Sequence, residues 1–111
     1  MKKIFITTGL ILLISISKAQ SSEAEILAEK IAKKMKDTLS LNDTQKNHVY
    51  DINIQLSNEK MSVRQQFTNR DSVIINLQRI ENKRDSLYRN VLPGEKYALY
   101  LQKKRNLVNN Q

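Results

Sequence analysis

Apolar residues recur along most of this chain three or four positions apart, the spacing that puts side chains on one face of an α-helix. Ile26, Leu27, Ile31, Met35 and Leu39 form the first such stripe, with Lys30, Lys33, Lys34 and Lys36 on the remaining faces. Ser22 and Glu25 stand three apart before it, a capping box in which each side chain can satisfy a backbone N–H at the helix start. The pattern predicts a helix over 23–38, its lysines biased to the C-terminal half where the helix dipole favours cations. After Leu39-Ser40-Leu41, Asn42 and Gln45 make a second capping box, and Val49, Ile52, Leu56, Val63 and Phe67 continue the apolar stripe. That reads as a helix from 43 to near 68, about 39 Å long at 1.5 Å per residue, the dimension of an elongated, coiled-coil-like body.

A third helix is expected over 71–91 from Val73, Leu77, Ile80, Leu87 and Val91, with Arg84 interrupting the alternation. Arg70-Asp71-Ser72-Val73 returns as Arg84-Asp85-Ser86-Leu87, two heptads on, and the residues leave open whether the second and third helices are continuous. Leu92-Pro93-Gly94-Glu95 is the one strong break; Pro93 suits a helix start, not an interior. Tyr97, Ala98, Tyr100 and Leu101 then give a short fourth helix, closed by Lys103, Lys104 and Arg105, with fraying expected over 106–111. The fold class is therefore all-α, with about four helices.

Residues 1–19 follow a different rule. Lys2 and Lys3 precede an apolar run from Ile4 to Ile16, and Ser17-Lys18-Ala19 offers small residues at a cleavage site. This is the pattern of a secretory signal peptide cut after Ala19. A run of about 13 residues is shorter than a membrane-spanning helix, so no stable membrane insertion is expected after cleavage. The division expected is 1–19 signal peptide, 20–105 helical domain and 106–111 tail, with the periplasm as the working compartment.

Composition adjusts this picture. The chain carries 19 Lys and Arg against 11 Asp and Glu, but Lys2, Lys3 and Lys18 fall in the signal, so the excess beyond Ala19 is +5. There is no cysteine, which excludes disulfides and thiol chemistry. With few large apolar residues, the exported part buries a thin core, and packing against a second copy is the natural remedy.

The chemistry-bearing residues are few. His48 is the single histidine, so a triad or a tight zinc site has too few members, even with Asp43 or Asp51 beside it. No Gly-rich phosphate loop is present. Neither enzyme activity nor a metal or other cofactor is expected. Nucleic acid is an unfavoured partner, given the export signal, the lack of aromatic stacking platforms and the modest charge excess. Three triplets, Asp37-Thr38-Leu39, Asp71-Ser72-Val73 and Asp85-Ser86-Leu87, match a short O-glycosylation acceptor pattern of some exported bacterial proteins, though Asp-Ser also simply starts helices. The remaining candidates are Lys60, Arg64, Arg70, Arg79, Lys83 and Arg84 with neighbouring Met61, a basic, partly apolar surface able to attract and hold clients. The plainer alternative is a set of solvated faces paired with Glu59, Asp71, Glu81 and Asp85.

Leu41-Asn42-x-x-Gln45, a long charged helical segment, and Leu92-Pro93-x-x-Lys96 together resemble the small periplasmic proteins of the Spy/CpxP type, which carry two L-T-x-x-Q motifs bracketing long helices. Asn42 replaces Thr in the same capping role; in the second copy Pro93 stands for Thr and Lys96 for Gln. The resemblance covers residues 39–102. It implies an antiparallel, cradle-shaped dimer of bent helical hairpins acting in the stress response as an ATP-independent chaperone, or holdase, for unfolding or aggregation-prone envelope proteins. The alternative it carries is a regulatory partner of an envelope-stress or metal-responsive membrane sensor.

Overall fold

A computed structural model describes residues 23–108, which form four α-helices and no strands. Helix α1 runs through residues 23–39, α2 is Asp43–Gln66, α3 is Arg70–Val91 and α4 is Gly94–Val108. The signal-peptide expectation, and Ser22 of the first capping box, lie outside the described residues.

Each helix boundary has a local cause. Helix α1 ends because Ser40 takes the left-handed conformation (φ 54°), and the Leu41 N–H then reaches back to the Lys36 carbonyl at 3.1 Å. This is the six-to-one bond of a Schellman turn, with Leu41 and Met35 both buried beneath it. Helix α2 opens on the expected reciprocal cap: Gln45 N–H donates to Asn42 Oδ1 at 2.8 Å, and Asn42 N–H donates to Gln45 Oε1 at 2.9 Å. The question of continuity between the second and third helices is answered by residues 67–69, where the chain reverses. Phe67 and Asn69 are extended, and Asn69 Oδ1 accepts from the N–H groups of Asp71 and Ser72 at 2.8 and 3.3 Å. Pro93 sits directly before α4, its carbonyl accepting the Tyr97 N–H at 2.9 Å.

The short connections make neighbouring helices antiparallel. Glu29 meets Lys46 across α1 and α2, Lys60 meets Glu81 across α2 and α3, and Asp85 meets Lys104 across α3 and α4. Inside, Ile31, Met35, Leu39, Val49, Ile52, Leu56, Ile80, Tyr88 and Tyr100 belong to one core shared by all four helices. The described residues therefore form a compact bundle and not the elongated, coiled-coil-like body expected from the length of the second helix. Six expected stripe positions (Leu27, Val63, Leu77, Leu87, Val91 and Tyr97) are partly buried against the core.

Three features depart from the expected pattern, the simplest being that Leu101 of α4 stands exposed. Ala24, Ala28 and Ala32 form the buried edge of α1, while Ile26 stands 69% exposed. Three alanines spaced four apart let a helix backbone approach its neighbours closely, and that register turns Ile26 outward. At the other end, α4 continues through Leu107 and Val108, both buried in the core, where fraying is expected from 106. Burying that apolar pair holds the last turn in place.

Candidate functional site

The candidate client residues cluster around the free end of the α2–α3 hairpin. Between Glu59 and Arg84 this end carries six cations, at positions 60, 64, 70, 79, 83 and 84, against carboxylates at 59, 71 and 81. The structure sorts them into two groups. Lys60 pairs with Glu81, Lys83 Nζ donates to both carboxylate oxygens of Glu59 at 3.0 Å, and Arg84 Nη1 donates to Glu81 Oε2 at 2.7 Å. Arg64, Arg70 and Arg79 are exposed and have no carboxylate partner among the described residues. Arg79 is held only by the Asn76 side-chain oxygen, at 3.5 Å.

Arg84 is a correction to the expected surface. It is 3% exposed and lies inside, under Glu81, so a client on the outer face does not reach it. The break it makes in the apolar stripe is a core position filled by a cation, not a gap in the packing. Met61 is half-buried and lines a groove with Leu27, Lys60 and Arg64, between the start of α1 and the far half of α2. Met35 is core.

Apolar surface accompanies the free cations. Ile74 and Ile75 are 54% and 55% exposed, and the preceding Val73, and Phe67 in the α2–α3 turn, are partly exposed. These isoleucines went unflagged in the sequence because they fall between the stripe positions Val73 and Leu77, on no face that periodicity marks. Their adjacency, two β-branched residues side by side on a helix whose core register is already filled, is the signal that could have found them.

The motif residues gather at the opposite end. Leu41 and Leu92 are both buried in the shared core, and Lys96 Nζ donates to the carbonyl of Ser40, the left-handed residue just before the first motif. Asn42 and Gln45 cap α2, as expected. Where a second capping Gln is absent, Lys96 instead ties the start of α4 to the α1–α2 turn. These six residues therefore brace the base of the bundle.

Between base and free end runs a buried polar chain. Tyr88 Oη donates to Asn53 Oδ1 at 3.0 Å, and Asn53 Nδ2 donates to the Val49 carbonyl at 2.9 Å. Tyr88 meets Tyr100 edge-on, with ring centroids 4.8 Å apart. Tyr100 Oη donates to Asp85 Oδ1 at 2.8 Å, and Lys104 Nζ takes the second Asp85 oxygen at 2.7 Å. Burial pushes the Tyr88 phenol up to about 12, and burial followed by the Asp85 carboxylate raises Tyr100 as well. Both phenols stay protonated, as their donor roles require.

His48 is exposed, and among the described residues no three His, Cys, Asp or Glu side chains converge on a metal position. No described helix is long and apolar enough to cross a membrane. Of the three Asp-Ser/Thr triplets, Asp71-Ser72 lies in the first turn of α3 on the Asn69 cap, while Thr38 and Ser86 are exposed on helices. Comparison of the chain with profiles of known families, with curated proteins and with solved structures returns no match.

Proposed function

We propose that this chain is an exported, periplasmic, ATP-independent binder of unfolding or aggregation-prone envelope proteins, a holdase of the Spy/CpxP kind. The observation that carries the reading is the free end of the α2–α3 hairpin. There Ile74 and Ile75 are exposed on α3, each one turn from Arg70 or Arg79. These two cations, like Arg64 on the last turns of α2, have no carboxylate partner among the described residues. Unpaired cations attract clients over roughly a Debye length, about 8–10 Å at ordinary salt. Exposed aliphatic side chains then supply short-range, sequence-tolerant contact, and a surface that binds many sequences is built from such weak parts.

The proposal includes cleavage after Ala19, and assembly of two such bundles into an antiparallel cradle that lines up two such ends. Its rival is a regulatory partner of one membrane stress sensor, which could use the same surface for a single protein. Light scattering separates the two. The exported chain is expected to suppress aggregation of at least two unrelated reduced proteins at near-stoichiometric ratio. Suppression of none of them would remove the holdase reading and leave the dedicated-partner one.

A further inference from the structure

Near the free end, the seam between α2 and α3 opens into a groove of about 330 Å³. Its inner wall is aliphatic, made by the buried Ile80 and the half-buried Val63. Its rim is polar but not uniform. At one position Lys83 and Glu59 clasp across the helices and cancel each other's charge. At another stand Asn76 and Arg79, and the Arg79 guanidinium has no carboxylate partner among the described residues. The exposed Ile75 lies one turn before Arg79, so the two are neighbours on one helix face.

A pocket of this build selects by chemistry. An aliphatic wall gains from burying a branched side chain, by roughly 25 cal/mol per Å² removed from water. A guanidinium fork without a carboxylate of its own matches a carboxylate, which it can hold through two parallel hydrogen bonds. The surrounding excess of cations repels a basic segment before contact. We propose that this groove takes an acidic-aliphatic peptide segment, one in which Leu or Ile stands beside Asp or Glu. The aliphatic side chain enters against Val63 and Ile80, and the carboxylate pairs with Arg79. The inference rests on the reading of the hairpin end as a client surface, and it names the client chemistry that surface prefers.

Three fluorescein-labelled peptides test it by anisotropy against the exported chain at low salt: a Leu/Glu alternating peptide, the same with Lys for every Glu, and the same with Ser for every Leu. The Leu/Glu peptide is expected to bind at least about tenfold more tightly than either control, a difference of about 1.4 kcal/mol. Arg79→Glu should remove that preference and Arg79→Gln should reduce it, each with an unchanged circular dichroism spectrum. Ile75→Asp should weaken binding, while Lys103→Glu on α4 should leave it intact. Equal binding of the Lys peptide, or full preference retained in Arg79→Glu, overturns the inference. Aggregation suppression without peptide preference sinks this proposal and spares the holdase; peptide preference without suppression does the reverse.

Discussion

A guanidinium is tolerated in a core only where its charge is answered, and Arg84 has Glu81 at 2.7 Å while its Nε finds no acceptor among the described residues. Removing the answering carboxylate leaves an uncompensated buried cation, whereas replacing the cation with an apolar side chain of similar length removes the problem. Glu81→Ala should therefore cost about 3 kcal/mol, and Arg84→Met distinctly less, compared by urea unfolding midpoints. Tyr88 gives a pH-dependent counterpart. Its phenol titrates at about 12 in the fold against 10.0 when free, so the unfolded chain releases this proton first as pH rises. Stability from Tyr88 is complete below pH 10 and declines between 10 and 12, by about 3 kcal/mol in total at 1.36 kcal/mol per pKa unit. In Tyr88→Phe that extra alkaline loss should shrink, at a cost near neutral pH of about 1–2 kcal/mol for the orphaned Asn53 oxygen. At this scale the sequence was partly misleading. Val49, Ile52 and Leu56 announce themselves by period, but Asn53 and Arg84 are polar residues on buried faces, acceptable there because Asn53 meets Tyr88 on α3 and Arg84 meets Glu81 one turn back on its own helix.

Helix ends were the most legible elements, because their causes are local. Asn42 and Gln45 satisfy each other's neighbouring N–H groups within four residues, so the cap is readable without any tertiary knowledge. Asn42→Ala should lower stability by about 1 kcal/mol on the same urea curves. Ser40→Gly should raise it by roughly 0.5–1 kcal/mol, since Ser40 holds a left-handed φ of 54° that glycine adopts without a Cβ penalty. The α2–α3 reversal was harder to read. It contains neither Gly nor Pro, and its stop signal is Asn69 capping Asp71 and Ser72, the same device as at Asn42 but without the reciprocal Gln. The end of α4 was misplaced for a tertiary reason, the burial of Leu107 and Val108 in a core that their own helix does not contain.

For the molecule as a whole, the all-α class follows from periodicity, and neither the break between α2 and α3 nor which cations remain free does. Lys60 and Lys83 look the same as Arg64, Arg70 and Arg79 in sequence, and differ because the antiparallel pairing sets Glu81 and Glu59 opposite them, while Arg84 meets Glu81 one turn away on its own helix. That partition leaves Arg64, Arg70 and Arg79 without a carboxylate partner among the described residues in the part of the hairpin that exposes Ile74 and Ile75, away from the braced base at Ser40 and Lys96. The most direct measurement is light scattering of a reduced, aggregating protein with the exported chain and with its Ile74→Asp, Ile75→Asp double variant, each at low and high salt. The account predicts suppression by the parent chain at low salt, weakening as salt rises, and little suppression by the equally folded variant at either salt. Equal suppression by the two would contradict it and place client binding elsewhere on the molecule.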